Sequence, residues 1–163
     1  MDAITAFALS IDNPAIKMLG MLLDNSFIYA GLLLGLILVG EQREGKRMKI
    51  ILSIVLAFLM AITIKYAMAR ERPCTLEDWC PQDYSFPSIH AAVAFTLMTA
   101  FVNKKSYILY LFFALFVSFT RLNLGVHIFQ DVAAALPIAL MSYYVMDITW
   151  KTAVERKKYA KGN

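Results

Sequence analysis

The chain has 163 residues, 60% of them hydrophobic and only 17% charged, where a soluble domain of this size carries about 25% charged residues. With a mean hydropathy of +0.59, this excludes a water-soluble globule and indicates a polytopic membrane protein with no room for a second domain. The net charge of +4 does not indicate a nucleic-acid partner, because the basic residues punctuate apolar runs instead of forming a patch interleaved with aromatics.

Membrane spans are helices or closed barrels, and the long runs without alternation exclude a barrel. No signal peptide is read: Met1-Asp2 offers no basic region, and the first long apolar run begins past Asn25. Residues 2–24 are broken by Asp12, Asn13, Pro14, Lys17 and Asp24. Asn13-Pro14 reads as an N-cap followed by proline at the first helical position. One or two short helices lying in the interface are expected there; the alternative is a further span over Ala3–Leu23, which the internal charges disfavour.

Five uncharged runs follow, Asn25–Gly40, Ile50–Ile64, Tyr84–Asn103, Ser106–Thr120 and Val132–Met146. Most are shorter than the ~20 residues of an ordinary span, but flanking lysines and arginines can snorkel and lengthen them. Helices are therefore expected near 25–41, 48–69, 87–103, 106–121 and 126–149, the last kinked by Pro137. Gly31 and Gly35 form a G-x-x-x-G pair that permits close helix packing. The expected fold is an all-α transmembrane bundle of about five spans, six if residues 3–23 also cross. It forms one domain over 1–163: interfacial helices at 1–24, a transmembrane core at 25–150 and a basic tail at 151–163.

Basic residues set the orientation. Arg43, Lys46, Arg47, Lys49, Lys104, Lys105, Lys151, Arg156, Lys157, Lys158 and Lys161 share one side, which the positive-inside rule makes cytoplasmic. The N-terminus and the loops at 70–86 and 121–125 then face outward. The C-terminal tail becomes a cytoplasmic segment able to rest on anionic lipid. Every unusual polar residue falls on the outward side.

In the stretch TRLNLGVHIFQD, Thr120 to Asp131, an arginine, a histidine and an aspartate sit between two apolar runs. Ionisable residues at a membrane edge are costly and mark functional sites, although interfacial snorkelling is the plain alternative. If a helix begins near Val126, His127 and Asp131 share a face. The carboxylate then holds one ring nitrogen and leaves the other bare as base or nucleophile. Arg121 offers a positive fork for a phosphate-like anion.

Lys65 and Arg72 are seven residues apart, two helical turns, and would point the same way; an anion such as phosphate would relieve their repulsion. Ser88, after Pro87, reads as the N-cap of the next helix, whose free amides form an anion site, with His90 in its first turn. Cys74 and Cys80, in the same outward loop, either close a small ring or remain free thiols. His90, His127 and Asp131, with Glu77, Asp78 and Asp83 nearby, are conceivable zinc donors. Lys65, Arg72 and Arg121 would repel a dication and do its work on an oxyanion, so no metal and no cofactor are expected.

Three segments, K-x6-R-P (Lys65 to Pro73), P-S-x-H (Pro87 to His90) and R-x5-H-x3-D (Arg121 to Asp131), occur in that order. Together they resemble the type 2 phosphatidic acid phosphatase superfamily, the lipid phosphate phosphatases related to vanadium haloperoxidases. The resemblance implies that Lys65, Arg72 and Arg121 hold the phosphoryl oxygens, completed by Ser88 and the amide of Ile89. It implies that His127 attacks phosphorus to form a phosphohistidine, Asp131 orients it, and His90 protonates the leaving oxygen and later activates water. Ile89 stands where many members have glycine, which bears on pocket shape, and Thr120 replaces the usual serine before Arg121.

The activity this implies is metal-independent hydrolysis of a lipid phosphate or a polyprenyl (undecaprenyl- or dolichyl-type) diphosphate at the outer leaflet. Phosphatidic acid and phosphatidylglycerophosphate are the alternative substrates, and transfer of the phosphoryl group to an alcohol is the alternative reaction. A non-catalytic lipid-binding protein would not need the three intact sets. A transporter would carry its charges across the bilayer instead of at one face.

Overall fold

The protein is described from a computed structural model covering residues 1–74 and 79–161, with side chains as far as Val154. Glu77 and Asp78, weighed above as metal donors, lie outside the described residues, as do the side chains of the basic tail beyond Val154. Among the described residues the chain is helical, without strands, in the order α1 (Ala3–Ser10), α2 (Pro14–Asp24), α3 (Ser26–Gly40), α4 (Glu44–Met68), α5 (Ile89–Ala100), α6 (Tyr107–Asn123), α7 (Phe129–Ala133) and α8 (Ala135–Lys161).

Every one of the five apolar runs forms a helix, but they are unequal. Among the described residues, only Glu44–Met68 and the combined stretch Phe129–Val154 are long and apolar enough to cross a membrane by themselves. The helices Ser26–Gly40, Ile89–Ala100 and Tyr107–Asn123 are shorter, so length and composition give two spans, or three if the bent pair α1–α2 counts as one, where about five were expected. The physical reason for the short central helix is its surroundings. Helix α5 packs against α4, α6 and α8, and Ala91 through Thr99 are all buried. A helix apolar on every face and walled in by its neighbours need not match the thickness of lipid.

The N-terminal pair α1 and α2 meets at a bend of 111°, so residues 3–23 are not one straight helix. Asn13 caps α2, accepting from the amides of Ala15 (2.9 Å) and Ile16 (3.3 Å), with Pro14 at the first helical position. In place of the expected kink at Pro137 there is a one-residue interruption at Ala134, between α7 and α8, whose backbone stays right-handed helical (φ −65°, ψ −19°). Proline supplies no amide for the carbonyl of Ala133, four residues back, and its ring crowds that carbonyl.

The glycine pair does not do what its spacing suggested. A Cβ built on Gly31 or Gly35 meets nothing within 4 Å. The close approach is at Gly40, where a Cβ would lie 1.9 Å from Tyr110 Oη and 2.6 Å from Phe101. There the Tyr110 hydroxyl donates to the Leu36 carbonyl (2.9 Å) and its ring stacks on Phe101. G-x-x-x-G reports only that two small residues share a face, and the neighbour that would use that face is elsewhere.

Candidate active site

Lys65 lies in the last turn of α4, and the helix stops at Met68 because Ala69 takes a left-handed conformation (φ 45°). Arg72 is therefore not on the helix, and the two-turn spacing does not align it with Lys65. The chain leaves the helix and folds back, and both side chains converge on one carboxylate. Lys65 Nζ donates to Asp83 Oδ2 (2.9 Å) and to the carbonyl of Tyr84. Arg72 Nε donates to Asp83 Oδ1 (3.0 Å), while its Nη1 donates to the Val126 carbonyl (2.9 Å). The Lys65 side chain is only 2% exposed, against 39% for Asp83.

Burial pushes the Asp83 carboxyl up, but the hydrogen bonds and charges of Lys65 and Arg72 overcome this and hold it below the ordinary carboxylate range. The loop carrying Asp83 is fastened by Ser85, whose amide donates to the Arg70 carbonyl (2.8 Å) and whose hydroxyl donates to that of Glu71 (3.0 Å). The structure joins Cys74 and Cys80 in a disulfide a few residues before Asp83.

His127 lies in the turn before α7, not on a helix beginning near Val126. Gly125, at φ +70°, allows the chain to leave α6 and re-enter as α7 at Phe129. The pairing with Asp131 nevertheless forms, because Asp131 caps the new helix. Its carboxylate accepts from the Ile128 amide (3.0 Å), lies 3.4 Å from His127 Nδ1 and meets Arg70 Nη1 at 3.3 Å. With the carboxylate accepting, the ring proton sits on Nδ1 and the lone pair on Nε2, which lies 3.4 Å from Arg72 Nη1. Burial pushes the imidazole down to about 4, against the opposing hydrogen bond to Asp131, and the Arg72 charge adds to the fall. The ring is neutral near pH 7 and chemically able to act as a nucleophile.

Ser88 caps α5, its hydroxyl accepting from the Ala91 amide (3.5 Å). It is fully buried, and its own amide donates to the Asp131 carbonyl (3.0 Å), tying the start of α5 to α7. His90, in the first turn of α5, packs its ring 4.9 Å from that of Tyr29, whose hydroxyl donates to the His90 carbonyl (2.8 Å).

These groups meet at a cavity of about 400 Å³. Lys65, Arg72, Asp83, His90 and His127 line its polar end. Leu33 of α3, Ile54, Val55 and Phe58 of α4, and Ile89 and Val93 of α5 line the rest with hydrocarbon. Ile89 thus brings its side chain to the wall where a glycine would leave space. Among the described residues, no group of three or more His, Cys, Asp or Glu side chains is placed to hold a metal ion.

Arg121 does not line this cavity. It is 1% exposed, and it donates to Asp24 Oδ1 (2.6 Å) and to the Gly20 carbonyl at the end of α2. Asn123 Nδ2 donates to the Ala8 and Ile11 carbonyls at 2.8 Å each, and the Phe129 amide donates to Thr5 Oγ1 (2.9 Å). The N-terminal helices are thereby bonded to the turn that presents His127, a role that their reading as interfacial helices did not include.

Sequence reading placed Asp83 only near a conceivable metal set and missed it as the partner of Lys65 and Arg72; it also missed Tyr29 as a site residue and Arg70 as a partner of Asp131. Asp83 carried a usable signal, since two cations buried together demand an anion and Asp83 is the acid nearest the P-S-x-H segment. Tyr29 carried none, being one aromatic in an apolar run.

Residues 46–154 match the PAP2 superfamily, the segment that contains all three motifs and every cavity-lining charge. The chain belongs to the PAP2 superfamily. It is similar to a protein of Sulfolobus acidocaldarius named undecaprenyl-diphosphatase, at 33% identity over 110 residues, or 61% of this chain. The chain spans about half of that relative, the match covering 52% of its length. Two solved structures share the fold. Aquifex aeolicus LpxE has a TM-score of 0.71 at 24% identity, covering 87% of this chain and 91% of its own. The PAP2-type phosphatidylglycerolphosphate phosphatase of Bacillus subtilis has a TM-score of 0.65 at 21% identity, covering 92% and 84%. With two helices long and apolar enough to cross a membrane, this PAP2 chain is a membrane protein, and its fold is the one shared by these two solved structures.

Proposed function

We propose that this PAP2 protein hydrolyses a lipid phosphate or diphosphate, with a polyprenyl diphosphate as first substrate, through a phosphohistidine and without a metal. The observation that carries the reading is the cavity itself: two cations and two imidazoles at one end, hydrocarbon along the remainder. A phosphoryl group suits the first, and a lipid chain leaving between α3 and α4 suits the second. The substrate choice rests on the relative named undecaprenyl-diphosphatase.

In this mechanism the phosphoryl oxygens displace Asp83 from Lys65 and Arg72. His127 Nε2 attacks phosphorus as the bond to the leaving oxygen breaks, and His90 gives that oxygen its proton. Asp131 and the Nδ1 hydrogen bond stabilise the imidazole as it gains positive charge. A water then surrenders a proton to His90 and attacks the phosphohistidine, releasing phosphate and restoring His127. Arg121 and Ser88 act from behind the wall, Arg121 through its field and its hold on α2, Ser88 through its bond to Asp131. Positioning and fixed charge supply the catalysis.

The membrane arrangement follows the same reading. Helices α3, α4, α5, α6 and the pair α7–α8 make five crossings of one domain, and α1 and α2 lie at the outer face beside the site. The N-terminus and cavity face outward and the basic end faces the cytoplasm.

The test is phosphate release in detergent with EDTA present, from undecaprenyl diphosphate, phosphatidic acid and phosphatidylglycerophosphate, with and without an alcohol acceptor. Release from the polyprenyl substrate, abolished in His127→Ala protein that still purifies normally, is the expected result. Equal turnover by that variant would overturn the nucleophile, and turnover that requires a metal would overturn the mechanism. A product carrying phosphate on the alcohol instead of free phosphate would make the enzyme a transferase.

A further inference from the structure

At the opposite end of the bundle from the candidate active site, a second cavity of about 600 Å³ opens between the start of α4, the α5–α6 turn and α8. Among the described residues five cations line it, Arg43, Lys46, Lys49, Lys104 and Lys151, with two carboxylates, Glu41 and Asp147. Glu41 serves Lys104 (3.0 Å) and Arg43 (3.1 Å), and Asp147 serves Lys151 (2.7 Å) and Lys49. Lys46 has no ion pair among the described residues, so the wall keeps a surplus of three positive charges gathered around one space. An anion entering it would relieve their mutual repulsion.

We infer that this basic cavity is a binding site for the headgroup of an anionic phospholipid, separate from the catalytic one. Lys46 and Lys65 are nineteen residues apart along α4, roughly 28 Å of helix. That is close to the ~30 Å of a bilayer's hydrocarbon core, so the cavity sits at the polar boundary of the other leaflet. Its mouth is flanked by apolar and aromatic side chains that face outward, Val102 (45% exposed) and Tyr144 (53% exposed). Acyl chains can lie along these while the phosphate reaches the lysines, which a free anion would not exploit. Tyr143 stands beneath Lys49, whose ammonium lies 5.0 Å from the ring centre and is thereby held at the cavity wall. The site joins the α3–α4 connection, the end of α5 and α8, so its occupant would brace the base of the helices whose other ends carry Lys65 and Ser88.

The experiment is thermal unfolding of the full chain in neutral detergent, doped with phosphatidylglycerol, with phosphatidylcholine, or with inorganic phosphate alone. Phosphatidylglycerol at tenfold excess over its Kd should raise the midpoint by roughly 3–5 °C and phosphatidylcholine should not. The double variant Lys46→Gln/Lys151→Gln should lose at least half of that shift, Lys46→Arg should keep it, and Lys65→Gln should keep it. An equal shift with phosphatidylcholine overturns the proposal, and so does a full shift in the double variant. A full shift with inorganic phosphate shows that no lipid is needed, and loss of the shift in Lys65→Gln places the lipid in the catalytic cavity; either result refutes it. The comparison of the two lipids on the unaltered chain decides the matter even where a variant fails to fold.

Discussion

Asp83→Asn removes the carboxylate that occupies the place between Lys65 and Arg72. In the resting site this group accepts from Lys65 Nζ at 2.9 Å and from Arg72 Nε at 3.0 Å, so an arriving phosphate has to displace it. A hydrogen bond to a charged group contributes about 1.5–3 kcal/mol, and the 39% exposure of Asp83 puts this one at the low end. Removing a competitor of about 1.4 kcal/mol tightens inhibition by inorganic phosphate or vanadate about tenfold. The same change leaves Lys65 without its carboxylate while it remains 2% exposed, so the folded state loses stability and the midpoint of unfolding falls. Tighter anion binding together with a less stable protein is therefore the expected signature. The assay is the inhibition constant for phosphate, measured beside a melting curve, on the parent and the variant. An unchanged or weaker constant would refute the displacement step, because Asp83 would then be positioning the cations for phosphate instead of standing in its place. The stability difference also carries a pH sign. The Asp83 carboxyl is held below its ordinary value, so its contribution is complete above about pH 4 and disappears as the pH falls further.

Three further outcomes are expected. In ¹⁵N-histidine spectra of the His90→Gln protein, the remaining His127 ring should stay neutral from pH 7 to pH 5, its value having been pushed down to about 4 by burial; a midpoint near 6.5 would contradict the burial argument. Gly40→Ala should lower stability by about 2–4 kcal/mol, since its Cβ meets Tyr110 and Phe101 and breaks the Tyr110–Leu36 hydrogen bond, whereas Gly31→Ala and Gly35→Ala should be neutral by the same melting curves. Asp24→Asn takes away the carboxylate paired with the buried Arg121 and, since Asp24 is half exposed, should cost about 1–3 kcal/mol, with faster proteolysis between α1 and α2; unchanged stability would show that the N-terminal pair is not held through Arg121.

The sequence by itself determined the class of the protein, the places of its helices and the chemistry available to it. Composition settles the first, because 60% hydrophobic residues in long unalternating runs leave only helices in lipid. Local rules settle the second, as Asn13-Pro14 and Pro87-Ser88 show by capping α2 and α5 where expected. Three ordered motifs named the residues, and five of them, Lys65, Arg72, Ile89, His90 and His127, line one cavity. Only the tertiary structure decided how they meet. Lys65 and Arg72 converge because the chain turns at Ala69 and returns through Asp83, not because two helical turns align them. His127 faces Asp131 from a loop because the carboxylate caps α7, a contact that spacing of four residues permits in more than one conformation. Arg121 withdraws to Asp24 and Gly20, residues about a hundred positions away, which no local pattern could pair with it. Periodicity and capping act over a few residues and are written in the chain. Which buried charge satisfies which depends on surfaces that come together only when the helices pack.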